Sequence, residues 1–299
     1  MTTVETADGA RIHVREYGPR SALRVLLIHG YAGQIEYWNP QINVLAQRFR
    51  VMVYDQRGFG RSTQGRRPLS VAALGDDLSE VLAALVPAGE RLVVAGHSLG
   101  GVAVMSWAAR HSGEVGRYAR SVLLIDTVAE RLAAHTKVLP LPGYHRVIRE
   151  RLLRYWLGKF PMPRPQWYLP LFRVMVLTWS TPRAETAFMA AMVGNCANPL
   201  RTRALSLLAE LDVKSGLQHL SVPTTVIVGL ADRLTPPSAS RQIVDLLRAV
   251  GNQPRFVELP RTGHCSTLED PATVIAEIEH AAEARGFGCA SGQSRAAAD

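Results

Sequence analysis

Three cysteines in 299 residues, Cys196, Cys265 and Cys289, are too few and too scattered to build a disulfide framework or a zinc site, and they fit a reducing compartment. No structural metal is implied. The chain also lacks an uncharged apolar run of the roughly 18 residues that a membrane span requires, because Arg173 interrupts the most apolar stretch, Trp167 to Trp179. Its first residues, Met1-Thr2-Thr3-Val4-Glu5, have neither a cationic region nor an apolar core, so no secretory signal is read there and a cytoplasmic protein is expected. No block of like charge is present: the excess of 34 Lys+Arg over 25 Asp+Glu, a formal +9, is nearly all arginine and is spread along the chain. A diffuse excess of that kind does not predict a nucleic-acid partner. Absent too are G-x-G-x-x-G and a phosphate loop ending in Gly-Lys-Ser/Thr, so no nucleotide site is read and no cofactor is implied.

What is present is apolar enough to bury a large core: 47% of residues are hydrophobic and 20% charged, which suits one large α/β domain or one domain with an inserted subdomain. Residues 4–17 alternate loosely about Asp8-Gly9, a hairpin signal. Six short apolar runs follow: Val25–Ile28, Val51–Tyr54, Leu92–Ala95, Val122–Ile125, Thr225–Val228 and Phe256–Leu259. Their continuous apolarity predicts strands covered on both faces, hence a mostly parallel sheet between two helical layers. Between the fourth and fifth runs lies a stretch too long for a crossover and too apolar for a loop. It reads as a helical cap over 127–216, inserted into a core made of 1–126 and 217–285, with a small and polar tail, 286–299, expected to be disordered. Within the cap, Thr181-Pro182 and Asn198-Pro199 stand as N-cap and N1 pairs. The first pair precedes a face of Ala184, Phe188, Ala191 and Met192; the second precedes Leu200, Ala204, Leu207, Leu208 and Leu211.

Directly after the third run comes Gly96-His97-Ser98-Leu99-Gly100-Gly101, then a helix-compatible segment, Val102 to Arg110. This is G-x-S-x-G between a strand and a helix, the setting in which a serine is lifted out on a sharp turn as a nucleophile. A glycine-rich turn with an N-capping serine is the plainer reading, but it leaves two later sites without a reason. Gly229-Leu230-Ala231-Asp232-Arg233-Leu234-Thr235-Pro236 follows the fifth run, and Gly263-His264 follows the sixth. Over about residues 10–285 the chain therefore resembles the α/β-hydrolase family, which sets its acid after a late strand and its histidine after the last one. The resemblance implies an α/β-hydrolase fold and a triad of Ser98, Asp232 and His264 at the carboxyl edge of the sheet. Serine at neutral pH requires a base that titrates near the working pH, which is a histidine, and an acid to orient that histidine.

Asp126, at the end of the fourth run, is a rival for the acid. An acyl-transfer enzyme also requires oxyanion donors. One is expected from the Leu99 N–H; by resemblance the second comes from Tyr31 in His29-Gly30-Tyr31-Ala32-Gly33, with Gly30 shaping the loop. Asp55-Gln56-Arg57-Gly58-Phe59-Gly60-Arg61-Ser62 resembles a second family signature and reads as a structural turn. His13, His111, His135 and His219 lie away from these strand ends and read as structural or solvated.

The function so implied is cofactor-independent cleavage of a carboxylic ester through an acyl-serine. Dehalogenases and epoxide hydrolases of this fold carry aspartate where Ser98 stands, which argues against both. Cofactor-free haloperoxidases and carbon–carbon bond hydrolases share the triad and stay open, as does a non-catalytic ligand-binding member. Trp156, Trp167, Tyr168, Phe172, Met175 and Val176 give the cap more apolar surface than a small polar substrate needs. A lipid-like monoester, a monoacylglycerol or lysophospholipid, is therefore expected. Val147 to Leu157 sets Ile148, Leu152, Tyr155 and Trp156 among Arg146, Arg149, Arg151 and Arg154, a pattern suited to an anionic membrane surface.

Overall fold

Eight strands form one twisted sheet in the computed structural model, which describes residues 2–137 and 169–283. They are β1 (Thr2–Glu5), β2 (Arg11–Tyr17), β3 (Arg24–Ile28), β4 (Arg50–Tyr54), β5 (Leu92–His97), β6 (Ala119–Ile125), β7 (Thr224–Gly229) and β8 (Arg255–Leu259). Their spatial order is β1-β2-β4-β3-β5-β6-β7-β8. The hairpin read about Asp8-Gly9 supplies the antiparallel edge, since β1 pairs with β2 and β2 with β4 in that sense, and every other neighbour pair is parallel. Val25–Ile28, Leu92–Ala95 and Val122–Ile125 have no exposed surface, as strands covered on both faces require. β8 differs: of Phe256–Leu259 only Leu259 is buried, because this strand closes the sheet and Glu258 turns out to meet Arg241. Helices Val71–Leu85, Leu99–Arg110 and Pro237–Ala249 cover one face; Asn39–Leu45 and Pro271–Glu283 cover the other. Among the described residues no helix is long and apolar enough to cross a membrane.

The turn read in Asp55 to Ser62 is structural. Asp55 accepts the N–H of Ile35 at 2.8 Å and of Arg61 at 2.9 Å. Arg57 is fully buried and paired with both Asp8 and Asp77, so the hairpin turn, this loop and helix Val71–Leu85 share one charge network. The three charges compensate one another, with Arg67 3.5 Å from Asp8 and the carbonyls of Gln64 and Arg67 accepting from Arg57, the condition under which buried charge is tolerated.

The chain leaves the sheet after β6 and returns before β7 through a narrow neck. Val213 N–H bonds to Ala129 O at 2.8 Å, Glu130 and Asp212 form an antiparallel bridge, and Lys214 Nζ lies 2.6 Å from Glu130. Between them the described residues form helices Leu132–His135, Leu169–Val176, Arg183–Asn195 and Asn198–Glu210. Both proline-led helix starts occur, but each cap is displaced by one residue from the reading: Pro182 rather than Thr181 caps the first helix, and Ala197 rather than Asn198 caps the second. The Thr181 hydroxyl does not cap, since it bonds to Glu269 instead. The face read for the helix after it is wrong except for Met192. Ala184, Phe188 and Ala191 are exposed, while Thr186, Met189, Ala190 and Val193 are buried, so the helix is rotated from the reading by about one position. Leu200, Ala204, Leu207, Leu208 and Leu211 are buried as read. The segment Val147–Leu157, Trp156, Trp167, Tyr168, Cys289 and the tail 286–299 lie outside the described residues.

Candidate active site

β5 ends at His97 and helix Leu99–Arg110 begins at Leu99, so Ser98 alone makes the turn, at φ 51° and ψ −115°. Positive φ is costly for a residue with a Cβ and persists only where the surroundings enforce it. Here the Ser98 N–H donates to Ile125 O at 2.9 Å and the Thr127 hydroxyl donates to Ser98 O at 2.8 Å. A Cβ on Gly100 would overlap the Ile28 carbonyl oxygen, so glycine is required for that close approach. Although Ser98 is the helix N-cap, its side chain makes no capping bond. The plainer reading of an N-capping serine therefore fails.

The Ser98 Oγ instead lies 3.0 Å from His264 Nε2, and His264 Nδ1 lies 2.9 Å from Asp232 Oδ2. All three side chains are buried, with exposures of 6%, 5% and 3% for Ser98, His264 and Asp232. Asp232 is fixed by its own loop: Oδ1 accepts the N–H of Leu234 and of Thr235, both at 2.8 Å, and Oδ2 accepts the Thr235 hydroxyl at 2.5 Å. Burial opposes its charge, but His264 and these bonds outweigh burial and hold the carboxyl below its usual range. For His264, burial opposes the imidazolium; the charge and hydrogen bond of Asp232, with Asp126 and Glu269 beyond, outweigh it and raise the pKa above the usual histidine value. An ionised Asp232 accepts the Nδ1–H, which leaves Nε2 bare toward the serine hydroxyl.

Asp126 acts on His264 through its charge alone, and its hydrogen bonds go elsewhere. Its Oδ1 accepts the Gly229 N–H at 2.9 Å; Oδ2 accepts the Ser266 N–H at 3.1 Å and hydroxyl at 2.5 Å. Burial first, and the nearby Asp232 charge second, push its carboxyl up to about 7. It braces the two loops that carry Asp232 and His264.

Above Ser98 is a cavity with about 1040 Å³ of empty space, its mouth included. Gly30, Tyr31, His97, Ser98 and His264 line its base; Val128, Leu132, Phe172, Met175, Val176, Met189, Val193, Leu205 and Leu208 line its wall. Gly30 permits the close packing of its loop, since a Cβ there would lie 2.8 Å from His97 Nδ1 and 3.0 Å from Ser98 Cβ. His29 shapes the same loop, accepting the Gln56 N–H on Nε2 at 2.9 Å, with Nδ1 2.8 Å from Gly30 O. Leu99 is buried behind Ser98 as the first helical residue, where the N–H has no acceptor within the helix.

His97, Thr235 and Glu269 were not singled out from sequence. His97 Nε2 sits 2.8 Å from His264 O and 3.1 Å from the Tyr37 hydroxyl, and burial, followed by the neighbouring His264, pushes its pKa down to about 3. A neutral ring there donates to the His264 backbone. The spacing Asp232-x-x-Thr235 is a readable side-chain turn; nothing in the sequence pairs Glu269 with Thr178. Among the described residues no cluster of His, Cys, Asp and Glu is arranged to hold a metal.

Residues 25–278 match the model of the alpha/beta hydrolase family. The chain belongs to this family. Among curated relatives, RutD of Caulobacter sp. (strain K31), provisionally assigned as a carbamate hydrolase, is 30% identical over 81% of this chain and 85% of its own length. Two alpha/beta hydrolase structures share the fold. A malate-bound esterase of Thermogutta terrifontis has a TM-score of 0.71 at 24% identity, over 93% of this chain and 96% of its own. The esterase EaEST of Exiguobacterium antarcticum has 0.78 at 18%, over 95% and 99%.

Proposed function

We propose that the protein is a serine hydrolase of carboxylic esters with an apolar acyl group, medium- to long-chain monoesters being the favoured class. The hydrogen-bonded line from Ser98 Oγ through His264 to Asp232, at the base of an apolar cavity, is the observation that carries this reading. His264 Nε2 takes the Ser98 hydroxyl proton as Oγ attacks the ester carbonyl, and Asp232 stabilises the imidazolium that forms. The carbonyl oxygen, now an oxyanion, is met by the N–H groups of Leu99 and Tyr31. Collapse returns the proton to the alcohol, which leaves. Water, deprotonated by the same imidazole, then attacks the acyl-serine and frees the acid and Ser98. The insert serves as the cap, and its apolar wall holds the acyl chain, each buried methylene contributing roughly 0.8 kcal/mol.

The RutD likeness favours a second reading, hydrolysis of a small carbamate. An ester panel separates them. Wild type is expected to label with a fluorophosphonate and Ser98→Ala is not, and kcat/KM is expected to rise several-fold from acetyl to octanoyl p-nitrophenyl esters. A steady fall from acetyl onward, with turnover of small carbamates, favours the second reading; no labelling at all removes both.

A further inference from the structure

The short helix Ser266–Glu269 follows closely on His264, and its last residue reaches across to the insert. Glu269 Oε1 accepts the N–H and the hydroxyl of Thr178, both at 2.7 Å, and the Thr181 hydroxyl at 2.5 Å. Its Oε2 accepts the N–H of Gly263 at 2.6 Å. One carboxylate thus bonds both to the turn 178–181 and to the residue just before His264. Hydrogen bonds to an ionised acceptor are short and about twice as strong as neutral ones, so this junction is stiff.

The turn is continuous with the cavity wall. Leu177 N–H bonds to Arg173 O at 2.8 Å, extending helix Leu169–Val176, whose Phe172, Met175 and Val176 face the cavity. Arg173 grips the other side of the turn, donating from Nε to Thr178 O at 3.3 Å and from Nη2 to the carbonyls of Trp179 and Thr181. Little slack remains between the two parts. A Cβ on Gly263 would stand 3.0 Å from both Glu269 Oε2 and the Leu177 carbonyl carbon, so wall and histidine loop are in direct contact there.

We propose that Glu269 is a positioning residue that couples the substrate-facing wall of the insert to His264, so that an acyl chain seated on the wall steadies the base. The activity part of the test rests on the ester-hydrolase reading; the exchange part does not. Titratable groups facing His264 come from several sides: Asp232 from the loop after β7, Asp126 from the end of β6, His97 from the end of β5 with Tyr37 behind it, and Cys265 and Glu269 from its own loop. Of these, Glu269 alone also bonds to the insert among the described residues.

Hydrogen exchange of the full chain, read over residues 177–182 and 262–268, tests the coupling in Glu269→Gln and in Thr181→Val, which alters only the insert side. Both variants are expected to speed exchange in both segments. The octanoyl-to-acetyl ratio of kcat, measured per fluorophosphonate-titrated site, is expected to fall several-fold in Glu269→Gln, and the acid limb of its kcat/KM profile to move to lower pH as a negative charge near His264 is lost. Faster exchange in 177–182 alone for Thr181→Val overturns the coupling, and so does a Glu269→Gln enzyme with the wild-type ratio and acid limb. A wild type that hydrolyses no ester refutes the proposed function and leaves the exchange comparison to decide the coupling by itself.

Discussion

Replacing Asp232 with asparagine removes one charge and keeps the shape, and the surrounding bonds dictate which way the amide turns. The N–H groups of Leu234 and Thr235, each 2.8 Å from Oδ1, require a carbonyl oxygen there. The amide NH2 then takes the place of Oδ2, 2.9 Å from His264 Nδ1, and donates to it. With Nδ1 accepting, the neutral ring carries its proton on Nε2, so it donates to Ser98 Oγ and no longer accepts from it. A base in the wrong tautomer costs about 10⁴-fold in turnover, near 5 kcal/mol of barrier. The two backbone bonds to Oδ1 survive, while the Thr235 hydroxyl, which donated to Oδ2, must turn and accept from the amide, so the melting temperature is expected to fall only slightly. The assay is kcat/KM on p-nitrophenyl butyrate from pH 5 to 9. Wild-type activity is expected to fall as pH drops through the raised His264 pKa, since the base must be neutral; without the Asp232 charge that pKa falls, and the acid limb of the residual activity moves to lower pH. Asp126→Asn is the control: it forfeits an acceptor for Ser266, which costs stability of about 1–3 kcal/mol, with only a mild loss of rate. An Asp232→Asn enzyme with an unmoved acid limb and nearly full activity, beside a crippled Asp126→Asn, would refute the argument and transfer the acid to Asp126.

Ser98→Ala and His264→Ala are each expected to lose roughly 10⁴-fold or more in ester turnover, with the double variant scarcely worse, because the residues act as one unit; additive losses in the same assay would contradict a shared step. Arg57→Met leaves Asp77 buried without its cation and Asp8 with Arg67 alone, and is expected to cost about 3–5 kcal/mol in urea unfolding, and an unchanged midpoint would mean the network is not needed.

The sheet was legible because buried parallel strands write themselves as unbroken apolar runs, and Val25–Ile28 or Val122–Ile125 have no other use for four such residues. β8 was harder, since an edge strand keeps one face polar and Glu258 sits within its run. Ser98, Asp232 and His264 were legible by spacing from strand ends, which is where the turn chemistry of the sheet exposes side chains. Helix Arg183–Asn195 misled because small residues such as Ala184 and Ala191 suit either face, while the buried Thr186 looked polar. The Glu269 junction joins residues 91 and 88 positions apart, and no local pattern encodes such a pairing.

The neck through which the insert joins the sheet has a consequence for how such a chain diversifies. Ala129, Glu130, Asp212 and Val213 bring the outgoing and returning strands side by side, so the excursion between them begins and ends at one place. Any replacement of compatible end separation can be spliced there without altering the path of β6 or β7. Most of the cavity wall and the Ser98–His264–Asp232 line are thereby written in separable lengths of gene, which meet again at the histidine loop through Glu269 and at the Asp232 loop, where Arg233 O accepts the Thr136 hydroxyl and the Lys137 N–H.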